Sequence, residues 1–479
     1  MHTRVSAAAH LGSKLGLMDA QPPSEAVLDV PPIAKELGVR FADAGHQLFL
    51  VGGSVRDLML GRPSPDLDFA TSAHPDQTTR ILRGWAERRY LVGVRFGTVG
   101  AMKDGERLEI TTFRQEVYSQ EHRKPTVTFG DDVETDLSRR DFTINAMAVR
   151  LPDGGFVDPH GGVRHLAAKV LDTPLEPELS FGDDPLRMLR AARFVSQLDV
   201  EPAPRVVAAI AAMHERMQIV SAERIAEELT KLLLGDRVAA GLALLVDTQL
   251  ADTFLPELAA LELEQDPVHH HKDVLRHTYA VVENTERDEV LRLAALLHDV
   301  GKPATRQITP DGVQFHHHEV VGARMADKRL RALRYPNHVV DDVRTLVAMH
   351  LRFHGYGEGW SDAAVRRYVR DAGPLLDKLN QLTRADCTTQ NPRKAKMLSD
   401  LQDDLEQRIA RLAEEENLAA IKPPLNGHEV MEHLGIRPGP MVGEALEYLL
   451  EMRMDRGPIS KEEALRLLDE WWEQRRGEQ

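Results

Sequence analysis

Leu48-Phe49-Leu50-Val51 is an apolar run that stops at Gly52-Gly53, and Ser54-Val55-Arg56-Asp57 follows. This order reads as a buried strand, a tight turn and the start of a helix. Asp66 and Asp68 then stand at i, i+2 in the next strand-like run. On a strand those two positions point to the same face, so their carboxylates are able to hold one or two divalent metals together. The glycines let backbone N–H groups approach a phosphate at the helix start. A Gly-Gly turn alone is usually only a turn, and an isolated Asp-x-Asp is usually solvated loop. Together, in this strand–turn–helix context, they are the equipment of metal-dependent nucleotidyl transfer.

The chain has 479 residues, more than one domain by the usual size of a domain. It holds no run of eighteen apolar residues, so no transmembrane helix is expected. The first eighteen residues are acid-free and Ala-rich without a long apolar segment, and residues 1–27 are read as a disordered leader. The single cysteine, Cys387, excludes an intrachain disulfide and suits a reducing cytoplasm. A net charge of −15 argues against coating nucleic acid with the whole surface, but leaves room for a local basic groove. Arginines cluster at 187–193 (Arg187, Arg190, Arg193), and Arg324, Lys328, Arg329, Arg331 and Arg334 form a second group. The bland reading of such clusters is a solvated helix face, and for the second group that reading and a nucleic-acid contact weigh evenly.

Residues 28–175 alternate strand-like runs (47–51, 66–70, 97–103, 107–114, 147–151, 156–157) with helical stretches, notably 54–60 and 75–84. This predicts an α+β head. Beyond 176 strand patterns nearly vanish. The spacing predicts helices over 183–198, 204–217, 221–234 with Ser221 as N-cap, and 237–246. Asp266-Pro267 marks a boundary, and Lys422-Pro423-Pro424 a linker into a last helical segment.

Within the head, 107–114 reads as a strand. If it lies beside the strand of Asp66 and Asp68, Glu109 completes a carboxylate triad; otherwise Glu109 is an exposed acid on a half-buried strand. In Ser138-Arg139-Arg140-Asp141-Phe142 two arginines precede an acid at a helix start. Arginine pairs bidentately with phosphate, and Asp141 is able to accept from a ribose hydroxyl. Asp184 and Arg187, at i, i+3, are predicted to share one helix face. They make either an intrahelical ion pair or an acceptor–donor pair that mimics a Watson–Crick edge and selects cytosine and adenine without a template.

The ensemble G-G-x-x-R-D…D-x-D resembles the DNA polymerase beta superfamily, and the later segments narrow that likeness. Arg139-Arg140-Asp141-Phe142-Thr143-Ile144-Asn145-Ala146, then Asp183-Asp184-Pro185-Leu186-Arg187-Met188-Leu189-Arg190, in this order, resemble the class II tRNA nucleotidyltransferase and bacterial poly(A) polymerase family. Arg114 to Tyr118, Arg123, Pro125 and Val127 also fit, and coverage runs from about 47 to 235. The resemblance implies that Gly52, Gly53, Ser54 and Arg56 hold a triphosphate and that Asp66 and Asp68 bind Mg2+. It implies that Arg140 and Asp141 contact phosphate and ribose, and that Asp184 and Arg187 read the base. Arg190 joins the nucleotide-binding set. In Ser221-Ala222-Glu223-Arg224-Ile225-Ala226-Glu227, Arg224 and Glu227 would support the base pocket. One departure is visible: Asp183 stands where the family often has Glu.

A second centre is Leu297-His298-Asp299-Val300-Gly301-Lys302 with the distant His277 in Arg276-His277-Thr278. Adjacent His and Asp plus a distant His can supply three ligands to a divalent metal. The pattern resembles the HD phosphohydrolase superfamily, which implies Asp386 as a late fourth ligand and His318 and His350 as the further ligands of a binuclear site. His316, His317, His269 and His270 read as surface, with His271 left open. Imidazole with carboxylate suits manganese, nickel, iron or magnesium better than structural zinc. Metal-activated water attacking a phosphoester is the implied reaction.

The expected architecture is therefore an α+β nucleotidyltransferase head, with a DNA polymerase beta-like palm, followed by an all-α region that includes an HD domain. The expected segments are a head at 28–175, a helical nucleotide- and RNA-binding neck at 176–262, an HD domain at 263–395 and a helical C-terminal segment at 396–479 with a tRNA contact. The implied activity is CCA addition to the tRNA 3′ end from CTP and ATP, with Mg2+ at the head and a divalent transition metal or Mg2+ at the HD site. No membrane and no obligate protein partner are implied. Poly(A), A-only or CC-only addition shares every motif quoted. An HD phosphohydrolase with an RNA-binding head is the rival of another class, and a pure binding protein sits poorly with complete ligand sets.

Overall fold

The computed structural model describes residues 28–63, 66–91, 97–117, 126–129, 132–263, 273–309, 312–387, 391–416 and 422–477. The leader 1–27, the family-like Tyr118, Arg123 and Pro125, and His269, His270 and His271 lie outside the described residues. Two compact units emerge, one ending at Phe254 and one beginning at Leu255.

In the first unit the strands are β1 (Leu48–Val51), β2 (Asp66–Thr71), β3 (Arg88–Tyr90), β4 (Thr98–Lys103), β5 (Glu106–Thr112), β6 (Arg114–Val117), β7 (Thr126–Phe129), β8 (Ala148–Leu151) and β9 (Phe156–Val157). Seven of them form one mixed sheet in the order β3-β4-β5-β2-β1-β8-β9, while β6 and β7 pair separately. Strand β1 is buried along its whole length. Its alternate residues feed different cores: Leu48 and Leu50 pack with Leu67, Phe69, Leu108 and Ile110, whereas Phe49 and Val51 pack with Ala70, Phe113, Leu137 and Ala146. A period of two on a strand covered on both sides explains why this run is uninterruptedly apolar. The same alternation puts Asp66 and Asp68 on the Ala70 face of β2. Helix Pro32–Asp43, with Pro at its first position, covers the Leu48 face through Ala34, Leu37 and Phe41.

The helical part of this unit departs from the sequence pattern at one informative place. The helix predicted over 183–198 is two, Pro177–Asp183 and Leu186–Leu198, with Asp184 extended between them (φ −139, ψ 100). Pro185 is the cause, because the residue before a proline is driven out of the helical region. Asp184 and Arg187 therefore do not share a helix face, and Asp184 instead accepts from the Leu186 N–H at 3.2 Å. Ser221 stands at the N-cap of helix Ala222–Leu233 as expected, but its side chain makes no capping bond.

The second unit is almost wholly helical among the described residues, broken by one antiparallel hairpin, Arg306–Thr309 with Gly312–Phe315. Helices Val274–Asn284, Glu289–Leu297, His318–Ala332, Asn337–Met349 and Leu376–Asp386 surround the His298–Asp299 turn. Gly301 is required there: a Cβ on it would lie 2.1 Å from the His318 carbonyl oxygen and 2.7 Å from the Gly322 nitrogen. The contact brings the turn against the start of helix His318–Ala332. The helices Gly427–Leu434, Pro440–Arg456 and Lys461–Gly477 enclose a separate core around Leu449, Leu467 and Leu468. No described helix is long and apolar enough to cross a membrane.

Candidate functional site

The carboxylate pair is built by three local devices. Strand β2 projects Asp66 and Asp68 on one face. Ser54, near the start of helix Gly53–Met59, donates to the Asp66 carbonyl at 3.2 Å and accepts from the Asp68 N–H at 3.0 Å. Strand β5 runs parallel to β2 with Glu109 in register with Asp68, so Glu109 joins the pair on the same face. Arg107 lies 3.9 Å from Asp66 and 3.4 Å from Glu109. Burial pushes the Asp68 carboxyl up to about 6; Arg140 opposes this, while the charges of Glu109 and Asp66 add to it.

Gly52 has φ +71, and a Cβ there would stand 2.7 Å from Arg140 Nη1 and 3.8 Å from Asp68 Oδ2. The turn thus makes room for Arg140 beside the carboxylates. Arg140 Nη2 donates to Asp136 at 3.2 Å, and its Nε is buried without a hydrogen-bond partner. Arg140 is the cation facing Asp68.

Arg56, Asp141 and Arg190, expected to touch nucleotide, are engaged with the protein. Arg56 forks onto Asp57 at 2.9 Å and donates to Asn145 Oδ1 at 2.6 Å. Asn145 donates to Asp141 Oδ1 at 3.0 Å, and Arg190 sets Nε and Nη2 on Asp141 Oδ2 at 2.9 and 2.6 Å. Burial works against the Asp141 charge, but Arg190 and the Asn145 bond hold its carboxyl well below the usual carboxylate range. Both Asp141 oxygens are therefore committed inside the fold. Arg187 donates to the Arg139 carbonyl at 2.7 Å and to Ser180 Oγ at 2.9 Å. Asp184 receives Arg224 at 2.7 Å, while Asp183 is exposed. Glu227 pairs with Lys231 at 2.6 Å on the surface. The sequence reading passed over Glu228, which is buried against Arg190 and Arg193. Its signal was present: Glu228 stands on the face of Ile225, Leu229 and Leu232, where an unpaired acid is costly.

In the second unit the sequence-chosen ligands converge. His277, His298 and Asp386 form one group, and Asp299, His318 and His350 another; within each, ligand atoms lie within 4.8 Å of one another. Among the described residues no other trio of such side chains comes as close. His298 Nδ1, His318 Nδ1 and His350 Nδ1 each face a backbone carbonyl three residues earlier, at 2.8, 2.9 and 2.6 Å. Those bonds favour the proton on Nδ1 and turn Nε2 toward the pocket, where it could ligate a metal. Nε2 of His318 and of His350 is buried with no hydrogen-bond partner, which is the orphaned donor set a metal would satisfy. Asp299 reaches both groups, 3.1 Å from His298 Nε2 and 3.3 Å from His318 Nε2, and Lys302 Nζ sits 2.6 Å from it. Burial disfavours charge on His298, yet Asp299 and Asp386 raise its imidazole to about 10. Burial and the His298 charge push His350 down to about 4. The carboxylates thus call for positive charge in this pocket. His354, not anticipated from sequence, stands at the rim, half exposed and 3.8 Å from Asp386.

The fold and the two sites define the class: a nucleotidyltransferase palm with helical neck, joined to a unit bearing an HD-type histidine–aspartate centre. The family model described as the poly A polymerase head domain matches residues 48–172, that of a probable RNA- and SrmB-binding site of polymerase A matches 199–262, and the HD domain model matches 268–416. The chain is 30% identical over 428 residues to the CCA-adding enzyme of Anoxybacillus flavithermus, covering 89% of this chain and 93% of that one. It is 34% identical over 440 residues to the A-adding tRNA nucleotidyltransferase of Deinococcus radiodurans, covering 89% and 96%. The crystal structure of the Bacillus stearothermophilus CCA-adding enzyme in complex with CTP matches with a TM-score of 0.69 at 27% identity, across 94% of this chain and 100% of that one. The chain belongs to the class II tRNA nucleotidyltransferase and bacterial poly(A) polymerase family.

Proposed function

We propose that this chain adds CMP and AMP to the tRNA 3′ end in the cytoplasm, without a nucleic-acid template. The observation that carries the reading is the acidic face of β2 and β5, where Glu109 is in register with Asp68 and Arg140 stands against them. Asp66, Asp68 and Glu109 would hold Mg2+, which supplies charge neutralisation for the 3′-hydroxyl and the departing pyrophosphate. The RNA 3′-oxygen bonds to the α-phosphorus of CTP or ATP as the α–β phosphoanhydride bond breaks. Arg140 and the Gly52-Gly53-Ser54 turn bind the triphosphate, with Arg56 holding the turn's shape. Asp184, Arg187 and Arg224 form the base-reading corner. Catalysis is mostly positioning and electrostatics.

The test is incubation with tRNAs lacking all of CCA, lacking only the terminal A, or complete, supplying CTP and ATP separately. CMP incorporation into the shortest and AMP into the A-less substrate is the expected result. Extension of the A-less tRNA alone gives the second reading, A-only addition, the activity for which the similar Deinococcus radiodurans protein is named. Continued extension of complete tRNA would mean poly(A) synthesis. For the second unit we propose metal-dependent phosphoester hydrolysis, with His277, His298, Asp299, His318, His350 and Asp386 holding a divalent pair. Its check is phosphomonoesterase and cyclic phosphodiesterase activity with manganese, nickel or magnesium.

A further inference from the structure

Glu228 is 4% exposed, in a helix that also carries Arg224. Its Oε2 lies 2.6 Å from Arg193 Nε, its Oε1 3.3 Å from Arg190 Nη1 and 3.9 Å from Lys231 Nζ. Arg190 turns its other edge to Asp141, Asp141 holds Asn145, and Asn145 receives Arg56. The result is an unbroken chain of charged and polar contacts, Arg193–Glu228–Arg190–Asp141–Asn145–Arg56. Its second member, Glu228, stands in the helix whose Arg224 grips Asp184, and its last, Arg56, in the helix whose Ser54 pins the backbone of Asp66 and Asp68. Phe194 packs beneath the three arginines, with guanidinium carbons 4.0 to 5.5 Å from its ring centre.

We infer that Glu228 is a positioning residue for nucleotide transfer: it fixes the Arg190 fork, and through Asp141 and Asn145 it sets Arg56 and the phosphate-side turn in register with the base-reading corner. The inference rests on the nucleotidyltransferase reading of this unit. Two neighbouring, partly buried guanidiniums repel each other unless a carboxylate stands between them, and Glu228 is the buried carboxylate that touches both. With its charge removed, Arg190 has one anion left, and the fork geometry that orients Asp141 is no longer enforced from the far side. Asn145 then loses its fixed acceptor, and Arg56 its fixed partner. Because Glu228 lies behind the site and not in it, the effect falls on nucleotide binding and choice before it falls on chemistry.

The test uses the full chain and Glu228→Gln, which keeps size and hydrogen bonding while losing the charge. Asn145→Ala and the double variant complete the set. Binding of CTP and ATP is measured directly, alongside KM and kcat for addition to tRNA. In Glu228→Gln, KM for both nucleotides should rise about tenfold with kcat changed less than about threefold, a loss of ground-state positioning. Asn145→Ala should show the same pattern. The double variant should be little worse than either single one, because both act through one chain of contacts. Unchanged nucleotide binding in Glu228→Gln, or strictly multiplicative effects in the double variant, overturns the inference while leaving the transferase reading intact. A wild-type chain that binds neither CTP nor ATP overturns both. If Glu228→Gln fails to fold, Asn145→Ala carries the test alone, and an unchanged KM there overturns the inference.

Discussion

The two centres of this chain hold their carboxylates in opposite ways. At the HD-type centre the donor atoms are buried, drawn together and aimed, each of three imidazoles fixed by a carbonyl behind it. On the palm, Asp66 and Glu109 are about half exposed, Asp68 alone is largely buried, and these acids do not close into a comparably tight cluster. The difference matches the demands of the metals. Imidazole-rich cages bind an ion with protein ligands alone, whereas Mg2+ is usually held by one or two carboxylates plus water and substrate phosphates. Under the proposed assignment the palm centre would be a half-site that the nucleotide completes.

The largest expected effect tests that contrast. Asp66→Ala or Asp68→Ala should lower nucleotide addition by at least ~1,000-fold while metal bound in the second unit, counted by elemental analysis, stays the same. Near-normal incorporation by both variants would sink the palm assignment. Next, His298→Ala or Asp299→Ala should weaken metal binding by more than the roughly 10- to 100-fold typical of outer-shell changes and abolish phosphoester hydrolysis. Nucleotide addition by the same preparation should stay within about twofold, since the two ligand sets lie in separate units. Joint loss of both activities would show that the two centres are coupled.

A smaller effect concerns choice. Asp184→Ala or Arg187→Ala should narrow the preference for CTP and ATP over UTP and GTP by about 10- to 100-fold, because a polar corner that pairs a base edge loses discrimination when its groups are removed. Misincorporation assays read it, and unaltered selectivity would return both residues to a structural role. The smallest effect is in stability. The folded Asp68 carboxyl titrates near 6, above its ordinary 3.8. Stability from this group is therefore fully present below about pH 4 and is lost as pH rises through 6. In metal-free protein at pH 8, Asp68→Asn should be more stable by up to ~3 kcal/mol, with the gain vanishing below pH 4. Denaturant titrations in chelator at both pH values measure it.

What the sequence made legible follows range of interaction. Strand β1, the Gly52 turn and the shared face of Asp66 and Asp68 are local patterns, readable from spacing. The convergence of His277 with Asp386 links residues far apart in the chain, and it was reached only because the motif set resembles a known superfamily. The register of Glu109 with Asp68 was a conditional statement, since no local signal encodes a parallel pairing of β2 with β5. The shared face expected for Asp184 and Arg187 does not form for a local reason, Pro185, which drives Asp184 out of the helix. The pairing of Arg56 with Asn145, and of Asp141 with Arg190, was not foreseen. A sequence shows which side chains are charged but not which charges meet, and here the expected ligand-binding groups first satisfy each other.

Gly52 carries a consequence of its own. The space where its side chain would be is occupied by the Arg140 guanidinium, 2.7 Å from the ideal Cβ position. Any larger residue would press that cation away from Asp68, and with it the influence that keeps the acid from titrating higher still. Burial dominates the proton affinity of Asp68, but a hydrogen atom at the end of one strand makes room for the cation that tempers it on the next, so the acid–base behaviour of this palm is written partly in an atom the chain leaves out.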